Sequence, residues 1–185
     1  MRRLILVTGG ARSGKSDYAL SRAQALPGPH VFLATCPVID SEMDDRIARH
    51  KADRENGIWQ TIEEEIELAA TISSLKSGSV CLVDCLTLWV NNLMYHAEKA
   101  NISFGEDEMR ARCEALVRTA AEYQGTLICV SNEVGMGVVP DNASARLYRD
   151  LVGRCNRMLA AAANEVILVS CGLPLFLKEC VTDQP

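Results

Sequence analysis

Five short apolar runs recur along the chain, Leu4 to Val7, Val31 to Ala34, Val80 to Val83, Thr126 to Val130 and Val166 to Val169, with helix-period stretches between them. Runs that are apolar at nearly every position, not at every second one, belong to strands covered on both faces. A mostly parallel sheet with helices on both faces meets that condition. With 185 residues, 48% of them hydrophobic, there is material for one well-buried core, so residues 1–185 are read as a single α/β domain.

The punctuation between the runs supports the same division. The amphipathic run Asp17 to Leu26 is broken by Pro27-Gly28-Pro29. A second helix is expected from near Ser41, where Ser41-x-x-Asp44 suits a capping box, to Asn56-Gly57. Further helices are expected over Leu86 to Lys99, Glu106 to Tyr123 and Asn142 to Ala163. Trp59 to Ile62 reads as an extra strand, and Leu175 to Cys180, after Gly172 and Pro174, as a terminal edge strand. No internal repeat, low-complexity tract or interdomain linker interrupts this order.

Charge narrows the partners. Nineteen basic and 24 acidic residues leave a net charge of −5, so no general basic field is available to hold nucleic acid or an anionic membrane, and any phosphate binding must be local. No signal peptide precedes the first strand and no apolar run approaches the ~20 residues needed to span a bilayer, from which a cytoplasmic protein is expected. The eight cysteines, Cys36, Cys81, Cys85, Cys113, Cys129, Cys155, Cys171 and Cys180, include no C-x-x-C pair and have no nearby paired histidines. Most are read as small core residues and none as a metal ligand.

Directly after the first strand comes Val7-Thr8-Gly9-Gly10-Ala11-Arg12-Ser13-Gly14-Lys15-Ser16, which contains G-x-x-x-x-G-K-S and opens a helix. Gly9 and Gly14 allow the backbone to curl until successive N–H groups point at phosphate oxygens. Lys15 adds a mobile cation, Ser16 a hydroxyl for Mg²⁺, and the helix aims the positive end of its dipole at the same anion. In this strand-to-helix context the motif points to a nucleoside triphosphate held in a P-loop NTPase-like fold.

Ligands of such sheets sit outside the carboxyl ends of the strands. That rule selects the phosphate loop, Ala34-Thr35-Cys36, the acidic start around Glu63, Asp84, and Asn132-Glu133-Val134-Gly135-Met136-Gly137. Asp84 closes an apolar strand and can hold Mg²⁺. Taken without the loop, it or Thr87 reads first as a cap for the following helix, and the loop reverses that order. In the segment Asp44 to Arg54, helical spacing sets Arg46, His50 and Arg54 along one face. Flanking cations would keep the imidazole neutral and nucleophilic, but with Asp44, Asp45 and Asp53 alongside, the residues alone favour an ordinary solvated face. Gly135 and Gly137 mark either a loop that approaches a ligand or a plain tight connection. His30 and His96 are read as structural or exposed, and Trp89, Met94 and Tyr95 as core or subunit contact.

Three stretches together are far more restrictive than the phosphate loop alone: Thr8 to Ser16, Glu42-Met43-Asp44-Asp45-Arg46-Ile47-Ala48-Arg49-His50-Lys51, and Asn132-Glu133-Val134-Gly135-Met136-Gly137-Val138-Val139-Pro140. With Arg154-Cys155-Asn156 and the alanine-rich stretch before Glu165, the chain resembles, almost end to end, the bifunctional adenosylcobinamide kinase and adenosylcobinamide-phosphate guanylyltransferase family. The resemblance implies phosphorylation of the aminopropanol hydroxyl of adenosylcobinamide by ATP or GTP. It further implies transfer of GMP from GTP, through a guanylylated histidine, to the phosphorylated corrinoid. His50 matches that histidine. Lys15 would stabilise charge on the transferring phosphate, and Ser16 and Asp84 would hold Mg²⁺.

The same resemblance implies nucleotide contacts from Gly9, Gly10, Ala11, Arg12, Ser13, Gly14, Lys15 and Ser16, from Ala34, Thr35 and Cys36, from Lys51, Ala52, Asp53 and Arg54, and from Asp84. It also implies a Glu63 carboxylate that pairs with the guanine edge. A small homo-oligomer is implied too. The chain departs from relatives at Arg54-Glu55-Asn56-Gly57-Ile58, where they carry a proline, and at Asp84, where they can carry glutamate. A kinase without guanylyl transfer and a nucleotide-dependent switch are the competing readings.

Overall fold

The computed structural model describes residues 2–36 and 58–179. The helix expected from Ser41 to Gly57, and with it His50, Lys51, Ala52, Asp53 and Arg54, lies outside the described residues.

Seven strands form one sheet: β1 (Arg3–Gly9), β2 (His30–Ala34), β3 (Trp59–Glu63), β4 (Val80–Asp84), β5 (Thr126–Val130), β6 (Glu165–Ser170) and β7 (Leu173–Lys178), in the spatial order β3-β2-β4-β5-β1-β6-β7. All neighbours are parallel except β6 and β7, which form an antiparallel hairpin. The helices are α1 (Lys15–Gln24), α2 (Leu68–Ser73), α3 (Leu86–Lys99), α4 (Glu106–Glu122) and α5 (Ala143–Ala162).

Alternation along each buried strand sorts the core into two layers. Leu4, Leu6, Cys81, Val83, Leu127 and Cys129 face α2 to α5, while Ile5, Val7, Val80, Leu82, Ile128 and Val130 face α1. On the first face Trp89 is buried, its indole N–H donating to Ile66 O at 2.8 Å. On the second, Ala19 and Ala23 sit one turn apart and fully buried, so α1 can lie close over β1 and β5. The thiols of Cys81, Cys113, Cys129 and Cys155 are buried, as small core residues should be.

Several boundaries differ from the sequence reading. Helix α1 begins at Lys15, not Asp17, because Gly14 in the left-handed region turns the loop straight into the helix. Neither Asp84 nor Thr87 caps α3, whose N-cap is Cys85 without a side-chain bond. The last strand spans Leu173–Lys178, not Leu175 to Cys180, since Cys171 and Gly172 take up the turn with φ of 52° and 78°. Helix α2 was not anticipated: Glu64 seeds it, its carboxylate accepting the N–H groups of Ile66 and Glu67, both at 2.8 Å, and the Thr71 hydroxyl at 3.2 Å. Burial works to raise the Glu64 pKa, but these hydrogen bonds together hold it below the ordinary value.

At the amino-terminal end of the sheet the buried Glu165 pairs with Arg3 and, at 3.1 Å, with Arg22, tying β6 to β1 and α1. The opposite end is left for chemistry.

Candidate functional site

Strand register sets the candidate residues in a row. Glu63 pairs with Ala34, Ala34 with Asp84, Asp84 with Val130, and Val130 with Val7, so the carboxyl ends of β3, β2, β4, β5 and β1 finish level with one another. Positions distant in sequence therefore meet along one edge, where open α/β sheets bind ligands.

The phosphate loop leaves β1 at Gly9 and enters α1 at Lys15. Gly9 has φ of 156°, Arg12 57° and Gly14 87°, a run of positive values that turns the chain back on itself. The two framework glycines are required for different reasons. A Cβ on Gly9 would lie 2.3 Å from Val169 O and 2.7 Å from Ser13 Oγ, whereas one on Gly14 would meet Gly172 Cα at 3.3 Å in a conformation that disfavours any side chain. Lys15 Nζ donates to Gly10 O at 3.1 Å, which brings the ammonium back onto the loop it follows. The Ser13 hydroxyl is buried and makes no hydrogen bond to any described residue. Ser16 stands in the first turn of α1, where unpaired helix N–H groups and the dipole favour an anion.

Asp84 is held by its neighbours. Thr35, fully buried, donates its hydroxyl to Cys85 O at 2.8 Å and accepts from Cys85 N–H at 2.7 Å. Its own N–H donates to Asp84 O at 3.3 Å. Asn92 from α3 then donates to Thr35 O at 2.8 Å. Burial first, and then the Asp84 carboxylate, push the Cys85 thiol up to about 11, while Lys15 works in the opposite direction. One thiol thus feels both the carboxylate at the end of β4 and the ammonium of the phosphate loop.

Two further contacts brace the loop from outside its own sequence. The turn between β6 and β7 packs against it, with Gly172 N–H donating to Ser13 O at 2.9 Å. From the end of β5, Glu133 N–H donates to Gly9 O at 3.2 Å. Its Oε1 accepts from the Thr8 hydroxyl at 2.7 Å and from Asn156 Nδ2 at 3.2 Å. Asn156, on α5, also donates to Asn132 O at 3.0 Å and accepts from the Ser131 hydroxyl at 2.5 Å.

Of the residues singled out from sequence, Gly9 to Ser16, Ala34, Thr35, Cys36, Glu63 and Asp84 lie on or beside this edge, with Glu63 exposed on the outermost strand. The Thr35 side chain holds Cys85, and its backbone is engaged as well, its N–H with Asp84 O and its carbonyl with Asn92. His30, by contrast, is structural, with Nε2 2.9 Å from Ala23 O and its ring against Trp59. Glu133 falls in a strand-end segment that the sequence selects without giving the residue a role, and Asn156 and Gly172 have no place in the site as read from sequence. Their roles come from pairings more than 20 residues apart, and the only local signal was the polar pair Asn132-Glu133 directly after a buried strand.

A glycine loop with a lysine at its exit, set between a parallel strand and a helix and level with an acidic strand end, defines a P-loop nucleotide-binding protein. Solved structures agree on the fold. An ATPase of the type III secretion system of pathogenic bacteria superposes with a TM-score of 0.59 at 10% identity, over 98% of this chain and 57% of that one. The flagellar accessory protein FlaH of Methanocaldococcus jannaschii gives 0.51 at 12%, over 96% and 78%.

Sequence comparison is more specific: residues 5–177 match the cobinamide kinase / cobinamide phosphate guanyltransferase family, and the chain belongs to it. It is 43% identical over 180 residues to the bifunctional adenosylcobalamin biosynthesis protein CobP of Pseudomonas aeruginosa, covering 96% of this chain and 98% of the relative. It is 37% identical over 185 residues to the bifunctional protein CobU of Escherichia coli K12, covering 95% and 99%.

Proposed function

We propose that this enzyme phosphorylates the aminopropanol hydroxyl of adenosylcobinamide with ATP or GTP, and then transfers GMP from GTP to the product through His50, giving adenosylcobinamide-GDP. The observation that carries the reading is a braced phosphate loop, level with Asp84, in a chain matched to a two-reaction family over residues 5–177.

In the kinase step, Lys15 and the loop N–H groups stabilise the charge that builds on the transferring phosphoryl group. In the second reaction, an imidazole nitrogen of His50 attacks the α-phosphorus of GTP, the bond to the β-phosphate oxygen breaks and pyrophosphate leaves. An oxygen of the corrinoid phosphate then attacks the same phosphorus and releases the histidine. Two moderate barriers replace one high one. Lys51, Ala52, Asp53 and Arg54 belong to this reading as nucleotide contacts, as does Glu63 as acceptor of the guanine N1–H and amino groups.

The Ser16 hydroxyl and Asp84 carboxylate are hard oxygen donors of the kind Mg²⁺ takes, and among the described residues no group of three His, Cys, Asp or Glu side chains could hold a metal. The two would therefore hold Mg²⁺ with substrate phosphates completing its ligands, and the ion would supply charge neutralisation. Glu63 is four strands from β1, about 19 Å at the usual strand spacing. A nucleotide joining the two must lie along the carboxyl edge.

A cytoplasmic setting and a small homo-oligomer complete the proposal. The second is supported by the exposed apolar side chains of Leu173, Leu175 and Leu177 on β7. No helix among the described residues is long and apolar enough to cross a membrane.

The test is incubation with Mg²⁺ and GTP labelled at the α-phosphorus. Wild-type protein should retain one acid-labile, alkali-stable GMP per chain and His50→Ala none. Stoichiometric label on the alanine variant removes His50 from the chemistry.

A further inference from the structure

We propose that Glu133 is the general base of the kinase reaction, accepting the proton of the corrinoid hydroxyl as that oxygen attacks the γ-phosphorus. This inference rests on the kinase half of the function proposed above. The two halves need different things from the protein. An alcohol must lose a proton as it attacks, whereas the phosphate nucleophile of the second reaction is already an anion and the neutral imidazole of His50 carries its own lone pair. A base is therefore required once, and near the γ-phosphate.

Glu133 meets that requirement in position and in what its carboxylate is left to do. Its backbone N–H donates to Gly9 O at 3.2 Å, which places the residue against the first glycine of the phosphate loop. Two donors, the Thr8 hydroxyl at 2.7 Å and Asn156 Nδ2 at 3.2 Å, converge on Oε1 alone. Asn156 is fixed in turn by Ser131 Oγ at 2.5 Å and by Asn132 O at 3.0 Å. One oxygen is thus anchored by a network from β1, β5 and α5, while Oε2 accepts no hydrogen bond from any described residue. No cation pairs with the carboxylate among them either.

The clamp uses one oxygen and leaves the other to accept a proton. A half-engaged carboxylate, rigidly held at the lip of a phosphate loop, is arranged to take up a proton. In the step, the hydroxyl oxygen forms its bond to the γ-phosphorus, the bond from that phosphorus to the β-phosphate oxygen breaks and the nucleoside diphosphate leaves. The hydroxyl proton passes to Glu133 Oε2 and from there to solvent.

Glu133→Gln separates base from clamp, because the amide oxygen still accepts from Thr8 and Asn156 while the basic oxygen is gone. The expected result is a fall in kinase kcat of about 100-fold or more with KM for nucleotide and corrinoid changed by less than about threefold. The GMP burst on His50 from labelled GTP in the same sample should stay within about threefold of wild type, which certifies folded, nucleotide-competent enzyme. Glu133→Asp, with a carboxylate on a shorter arm, should be faster than Glu133→Gln in the kinase assay. Wild-type kinase rates in Glu133→Gln, equal losses in both reactions, or an aspartate variant no faster than the glutamine variant would each overturn the assignment. Absence of a GMP burst in wild-type protein would instead refute the guanylyl-transfer half and leave the kinase comparison to decide on Glu133.

Discussion

Replacing Gly9 with alanine tests whether the phosphate loop is shaped by the strand beside it. The new methyl carbon would stand 2.3 Å from Val169 O and 2.7 Å from Ser13 Oγ, at a φ of 156°. The serine can rotate away. Val169 cannot, because it belongs to β6 and pairs with Gly9 itself in the β1–β6 register. A side chain in a disfavoured positive-φ conformation costs about 1–2 kcal/mol, and forced overpacking adds about 1–3 kcal/mol, a sum of about 2–5 kcal/mol. In a chain of this size each kcal/mol lowers Tm by about 2–4 °C, so a fall centred near ~10 °C is expected.

Gly10→Ala is the matched control, since a Cβ there meets nothing within 4 Å among the described residues. Its Tm should stay within about 2 °C of wild type. Calorimetric melts without nucleotide isolate the structural effect from any loss of binding. If the two variants melt together, contact with β6 is not what demands glycine at position 9, and the reasoning fails.

Lys15→Ala should lower both kinase turnover and guanylylation of His50 by about 100-fold or more while leaving Tm within about 2 °C; unchanged turnover in both reactions would contradict a shared triphosphate seat. Thr35→Val strips both side-chain bonds from the Cys85 peptide group and should cost about 2 kcal/mol in urea melts, with Thr35→Ser restoring most of it; equal stability of the two variants refutes the clamp. Burial pushes the Cys81 thiol up to about 12, while a thiol in the unfolded chain ionises near 9. Between those values the unfolded state binds fewer protons than the native one, so stability must fall as pH rises from about 9 toward 12. A denaturation midpoint that stays flat across that window would refute it.

The sheet was legible because its strands are buried on both faces and carry a continuous apolar signal, as in Val80 to Val83. Helix α3 was legible over its full length, Leu86–Lys99, for the complementary reason that one face is apolar and the other wet. Short or exposed elements lacked both signals. Helix α2 is six residues long and begins from a glutamate three residues upstream of its N-cap, a start that capping preferences do not mark. Strand β7 is exposed throughout, so no periodicity fixes its ends.

The phosphate loop could be read because its function is written in consecutive residues. Glu133 could be placed at a strand end but given no role, because what distinguishes it is the convergence of Thr8, 125 positions away, and Asn156, 23 away, on a single oxygen.

The turn at Cys171 and Gly172 has one more consequence. A glycine-rich loop left to itself samples many shapes, and ordering it around a polyphosphate would consume much of the favourable free energy of contact. Here the hairpin acts as a splint, fastened to the loop through Ser13. Part of the entropic penalty of shaping the cradle is therefore met during folding, by a contact that the chain makes with itself.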